Sequence, residues 1–98
     1  MLMRYTQTTL KKLEELFGEL DYVIRYEKGS FQSGYCIVEH RNIVVINKFF
    51  DTEARINCLL DILTSLNVDP AGLSEKSQEL FAKWEKEQEQ RTKDSLPG

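Results

Sequence analysis

Long apolar runs, an excess of positive charge and any abundance of cysteine or histidine are all missing from this chain. Its longest apolar runs fall far short of the roughly 20 residues that span a bilayer. The opening MLMRYTQTTLKK lacks the basic-then-apolar order of a secretory signal. A cytoplasmic protein with no membrane partner is therefore expected. The formal net charge is -3, with no local run of Lys and Arg, so long-range attraction for nucleic acid is absent and binding to it is not expected. Two cysteines, Cys36 and Cys58, are present. In a chain without an export signal they are expected to be reduced core residues and not a disulfide.

What is present suits one folded unit. The 98 residues are 41% hydrophobic and 30% charged, ordinary values for a globular domain. Such a chain buries roughly 60 to 65% of the surface exposed when unfolded. From Thr8 to Leu20 the residues Leu10, Leu13, Leu16, Phe17 and Leu20 recur at helical spacing, and Thr6 or Thr8 is placed to cap the start. DYVIRYEKG then alternates Tyr22, Ile24 and Tyr26 against Val23, Arg25 and Glu27, which predicts a half-buried strand. After the small and polar loop GSFQSG, YCIVEH reads as a second strand, RN as a turn, and IVVINKFF as a third. Short connections make antiparallel pairing the natural expectation.

Asp51 or Thr52 is placed to cap a second helix, with Glu53 at its positive end and Ala54, Ile56, Leu59, Leu60, Leu63 and Leu66 as the buried stripe. That helix is expected to stop near Asn67, before Asp69-Pro70 and Gly72. A third helix follows, with Ser74 as cap and Leu73, Leu80, Phe81 and Trp84 to dock it. Beyond Trp84, EKEQEQRTKDSLPG has little to bury. The expected organisation is thus one domain over residues 1–86 and a polar, mobile tail over 87–98, whose helicity rests on weak pairs such as Glu87 with Arg91.

The fold class expected is α+β in two layers, with a three-stranded antiparallel sheet packed on helices in the order α-β-β-β-α-α. Its expected core includes Leu13, Phe17, Ile24, Cys36, Val38, Val45, Ile56, Leu60, Leu63 and Trp84. Strand three is apolar on both faces, with Ile43 and Val45 on one and Val44 and Ile46 on the other. In a simple meander that strand is an edge, and an apolar edge invites pairing with another chain. A homodimer through strand three follows as an expectation.

Four kinds of chemistry are testable on the residues. Gly29 and Gly34 have the outer spacing of a phosphate-binding loop, but Tyr35-Cys36 lead into a strand where Lys and Ser or Thr opening a helix are required. Cys36, Glu39 and His40 are potential metal ligands. Along a strand, however, Cys36 and His40 lie roughly 13 Å apart, too far for bonds of about 2 Å to one zinc. A thiol–histidine pair would need Cys36 or Cys58 beside His40, and a thiol buried in core is inert. No catalytic residue, metal or cofactor is therefore assigned. The fourth candidate is the junction of strand three and helix two, where Asn47, Lys48, Asp51 and Arg55 cluster. A helix start there is suited to an anion, although capping and solvation alone account for the same residues.

The segment carrying RYEKG, SGYC and NKFFDTEARIN resembles a family of small bacterial proteins of the Bacteroidetes type, a resemblance that implies no activity. A weaker resemblance is to zinc metallopeptidases of the anti-repressor protease kind, whose helix bears H-E-x-x-H. On that pattern Leu60, Asp61 and Thr64 stand where His, Glu and His are needed, and leucine has no lone pair for zinc. The reading reached is a non-enzymatic interaction or dimerisation module. Its alternative is a binder of small anions, or an enzyme, with a site at Asn47, Lys48, Asp51 and Arg55.

Overall fold

A computed structural model describes residues 3–28 and 35–95, and at positions 35, 39 and 90–95 it describes the backbone alone. Its elements are α1 (Gln7–Glu19), β1 (Val23–Glu27), β2 (Tyr35–Val38), a 3-10 turn (Glu39–Arg41), β3 (Ile43–Asn47), α2 (Thr52–Ser65), a second 3-10 turn (Pro70–Gly72) and α3 (Glu75–Ser95). This is an α+β fold. Among the described residues no helix is long and apolar enough to cross a membrane.

Helix α1 begins as its sequence predicts. Thr6 is extended and its hydroxyl oxygen accepts from the Thr9 N–H at 3.3 Å, satisfying one of the free donors of the first turn. Leu10, Leu13, Leu16 and Phe17 form the buried stripe. At the far end Asp21 takes a left-handed φ of 64°, a conformation that Asp adopts more readily than most residues. The chain thereby reverses, and the Tyr22 N–H donates to the Phe17 carbonyl at 2.9 Å.

The sheet is mixed, which corrects the antiparallel meander expected from short connections. Its order is β1-β3-β2, with β1 parallel to β3 and β2 antiparallel to β3. The physical reason is that β2 itself forms part of the crossover. About fifteen residues separate β1 from β3, enough for a parallel return. Strand β3 is therefore the centre of the sheet, hydrogen-bonded on both sides, and the edge from which dimerisation was argued does not exist. Its apolar character on both faces is that of a central strand. The strands are also shorter than expected: Glu39 and His40 fall in the 3-10 turn, and Lys48 and Phe49 lie beyond β3. Asn42, at φ 53°, makes the bend into β3 in a region that Asn tolerates.

The two faces of the sheet differ. Ile24, Tyr26, Ile37, Val44 and Ile46 join the helices in a single core cluster that includes Leu13, Leu16, Phe17, Ile56, Leu59, Ile62 and Leu63. The register puts Val23, Ile43 and Val38 in one row on the opposite face, with Arg25, Val45 and Cys36 in the next. Two expected core residues are thereby relocated: Val45 is buried but outside the helix-packed cluster, and Val38 is half-buried. Cys36 is corrected outright, because it is exposed, while Cys58 is buried; both thiols are free.

Helix α2 is capped by Asp51, whose carboxylate accepts from the Ala54 N–H at 2.8 Å. It ends at Ser65, close to the expected stop. Helix α3 starts on a borrowed carboxylate. One oxygen of Glu19, at the end of α1, accepts from the Ser74 N–H at 2.6 Å. Its other oxygen accepts from the hydroxyls of Ser74 and Ser77 at 2.8 and 2.7 Å. These bonds, led by the Ser74 backbone N–H, hold the Glu19 carboxyl below its ordinary pKa. Leu80, Phe81 and Trp84 dock the helix. The Trp84 indole N–H is buried without a hydrogen-bond partner among the described residues, an offset to that docking. The helix runs on past Trp84 to Ser95, and buried Glu87 accepts from the Met3 backbone N–H.

Candidate functional site

The junction of β3 and α2 uses its polar residues to hold itself together. Asn47 turns its side-chain oxygen back to accept from the Phe49 N–H at 3.0 Å, an Asx turn that ends the strand. Asp51 is committed to the cap. Lys48 extends over the Phe49 ring, 5.4 Å from its centroid, and is exposed.

Arg55 is more constrained. Its Nε–H donates to the Phe50 carbonyl at 2.9 Å and a terminal nitrogen donates to the Lys48 carbonyl at 2.8 Å. The guanidinium also lies over the Tyr26 ring, 4.2 Å from the centroid. One side chain thus fastens the loop after β3 to both the sheet and α2. Of the four residues predicted to form a site, Arg55 lines a cleft among the described residues.

That cleft lies between α1 and the start of α2, has a volume of about 510 Å³, and is lined by Gln7, Thr8, Leu10, Lys11, Glu14 and Arg55. Its walls are braced. Gln7 donates its amide N–H to the Thr52 hydroxyl at 2.7 Å, and the Tyr26 hydroxyl donates to Glu14. Burial first, then the bond to the Glu14 carboxylate, push the Tyr26 phenol well above its ordinary pKa. Tyr26 therefore acts as a neutral donor that orients Glu14.

Sequence reasoning missed Gln7, Lys11, Glu14 and Tyr26, because each is ordinary in its own element. The available signal was the spacing of Gln7, Lys11 and Glu14, which puts them on one side of α1.

A second groove, of about 310 Å³, is lined by Lys12, Lys76, Glu79, Leu80 and Lys83. Unlike Arg55, its lysines are exposed and make no hydrogen bond or ion pair with the described residues. Among those residues no group of three or more His, Cys, Asp and Glu is arranged to hold a metal ion. Cys36 and His40 are both exposed, on β2 and the following turn. Gly29 and Gly34 lie outside the described residues. On the helix aligned with H-E-x-x-H, Leu60 is buried in the core.

The outer face of the sheet is the remaining feature. Val23 is 55% exposed, Ile43 and Val38 are half-buried, and Arg25, Glu27 and Cys36 are exposed. Comparison with protein-family models, with curated proteins and with solved structures finds no match to this chain.

Proposed function

We propose that this protein is a non-enzymatic interaction module that self-associates through the outer face of its sheet. The observation that carries the reading is the apolar row Val23–Ile43–Val38, in which Val23 is one of two large hydrophobic residues left exposed among the described residues. Valine and isoleucine side by side at a surface gain by association, at about 25 cal/mol per Å² of apolar area removed from water.

A second copy is the partner that the charges suit. Arg25 and Glu27 lie on the same face of β1, so the patch carries both signs, as an interface that must complement itself requires. The small net charge of -3 puts little general repulsion between two copies. In this reading strand three still lies in the interface, but it contributes Ile43 and Val45 from its face and no backbone from an edge. The free thiols suit a reducing compartment.

Sedimentation equilibrium of the parent and of Val23→Lys tests the proposal. The parent is expected to dimerise at micromolar concentration. The variant, altered at an exposed position where the folded monomer loses little, is expected to remain monomeric and to melt with the parent diluted below its dimerisation range. A parent that stays monomeric up to about 100 μM, or a variant that dimerises as the parent does, refutes it.

A further inference from the structure

The cleft between α1 and α2 has the parts of a small-molecule site, and it stands independently of self-association. We infer that it binds a small carboxylic acid that also carries an amino or hydroxyl group.

Arg55 supplies the anchor. Two bonds to backbone carbonyls and its place over Tyr26 fix the guanidinium before any ligand arrives, so little conformational freedom is lost on binding. Those bonds use two of its five N–H donors, and the planar fork suits a carboxylate. Lys11 lines the same cleft and makes no hydrogen bond or ion pair with the described residues, leaving its ammonium available to the same anion.

Glu14 sets the second requirement. It also lines the cleft, and one of its carboxylate oxygens accepts from the Tyr26 hydroxyl. Its other oxygen is left to accept from an amino or hydroxyl group. A bare anion would meet Glu14 with nothing to offer it, whereas an amino or hydroxy acid satisfies all three side chains. The volume of about 510 Å³ lies in the range of small-molecule sites.

The test is an NMR titration of the full chain with L-serine and, separately, with acetate at constant ionic strength. The Arg55 Nε–H and the Gln7 side-chain amide report binding. Both probes are expected to move these signals, serine at about tenfold lower concentration than acetate. Lys11→Ala is expected to weaken both by about fivefold or more without moving the melting temperature. Glu14→Gln, whose amide oxygen still accepts from Tyr26, is expected to reduce serine to the level of acetate. Lys48→Ala, altered at an exposed lysine outside the cleft, should bind as the parent does. The inference is overturned if neither signal moves by about 50 mM, if Lys11→Ala binds like the parent, or if Lys48→Ala loses as much as Lys11→Ala. Equal binding of serine and acetate, unaffected by Glu14→Gln, overturns the amino or hydroxyl requirement.

Discussion

Replacing Arg55 with Ala should be among the more damaging changes available at a partly exposed position. The substitution removes two charge-assisted bonds, to the carbonyls of Phe50 and Lys48 at 2.9 and 2.8 Å, and the guanidinium over Tyr26 at 4.2 Å. Water can reach the freed carbonyls, so each bond is worth about 1 kcal/mol, below the range for buried charged groups. The cation over the ring adds about 0.5 to 1 kcal/mol. The expected loss is about 2 to 3 kcal/mol, which in a chain of this size lowers the melting temperature by roughly 10 to 20 °C. Arg55→Lys should recover part of this. It keeps a cation near Tyr26, but an ammonium cannot reproduce the planar fork between two carbonyls. Thermal melts followed by circular dichroism, together with urea titrations of all three proteins, provide the measurement. An Arg55→Ala protein melting within about 2 °C of the parent would show that the loop holds without its clasp.

Two further outcomes follow from the titrating groups. The Glu19 carboxyl has a lowered pKa because Ser74 and Ser77 donate to its charged form. Its contribution is therefore present above the ordinary carboxylate pKa and lost as pH falls through the lowered one. The stability gap between the parent and Glu19→Gln should be wide at neutral pH and shrink under acid, as read from urea midpoints; a gap that stays constant with pH contradicts the linkage. In dilute protein, Cys36 should react promptly with a thiol reagent, since it is exposed. Burial, then the nearby charge of Asp61, raise the Cys58 pKa, so Cys58 should react only on unfolding. Cys36→Ser should abolish the fast phase, and a fast phase that survives would place the reactive thiol elsewhere.

The helices were legible because their signals are local. Thr6 and Asp51 cap where the sequence puts them, and the apolar residues of α1 face the core at the spacing that identified them. Strand β1 also revealed its inward face, because Arg25 and Glu27 mark the outer one. Strand β3 and the YCIV segment offered no such mark. Where both faces are apolar, the period of two is visible but its phase is not, so Cys36 and Val38 were expected in the core although they share the outer face with Val45, which is buried there. The pairing was hidden for a different reason. A central strand and an exposed apolar edge read alike in one chain, and only the partners on either side distinguish them. Arg55 looked solvated because its acceptors are backbone carbonyls, which every residue has and no sequence pattern singles out. The Glu19 clasp joins residues 55 positions apart and was equally beyond local reading.

The order β1-β3-β2 has a consequence for how the chain reaches its fold. The first two strands to leave the ribosome are not hydrogen-bonded neighbours in the finished sheet, since the third lies between them. A nascent chain ending at Asn42 owns two strands and no ladder. Sheet formation therefore waits for Ile43–Asn47: β3 pairs with β2 across the short 39–42 connection, and its parallel ladder with β1 carries the larger loop-closure cost. Fragments truncated before that point should have no partial sheet on which to rest.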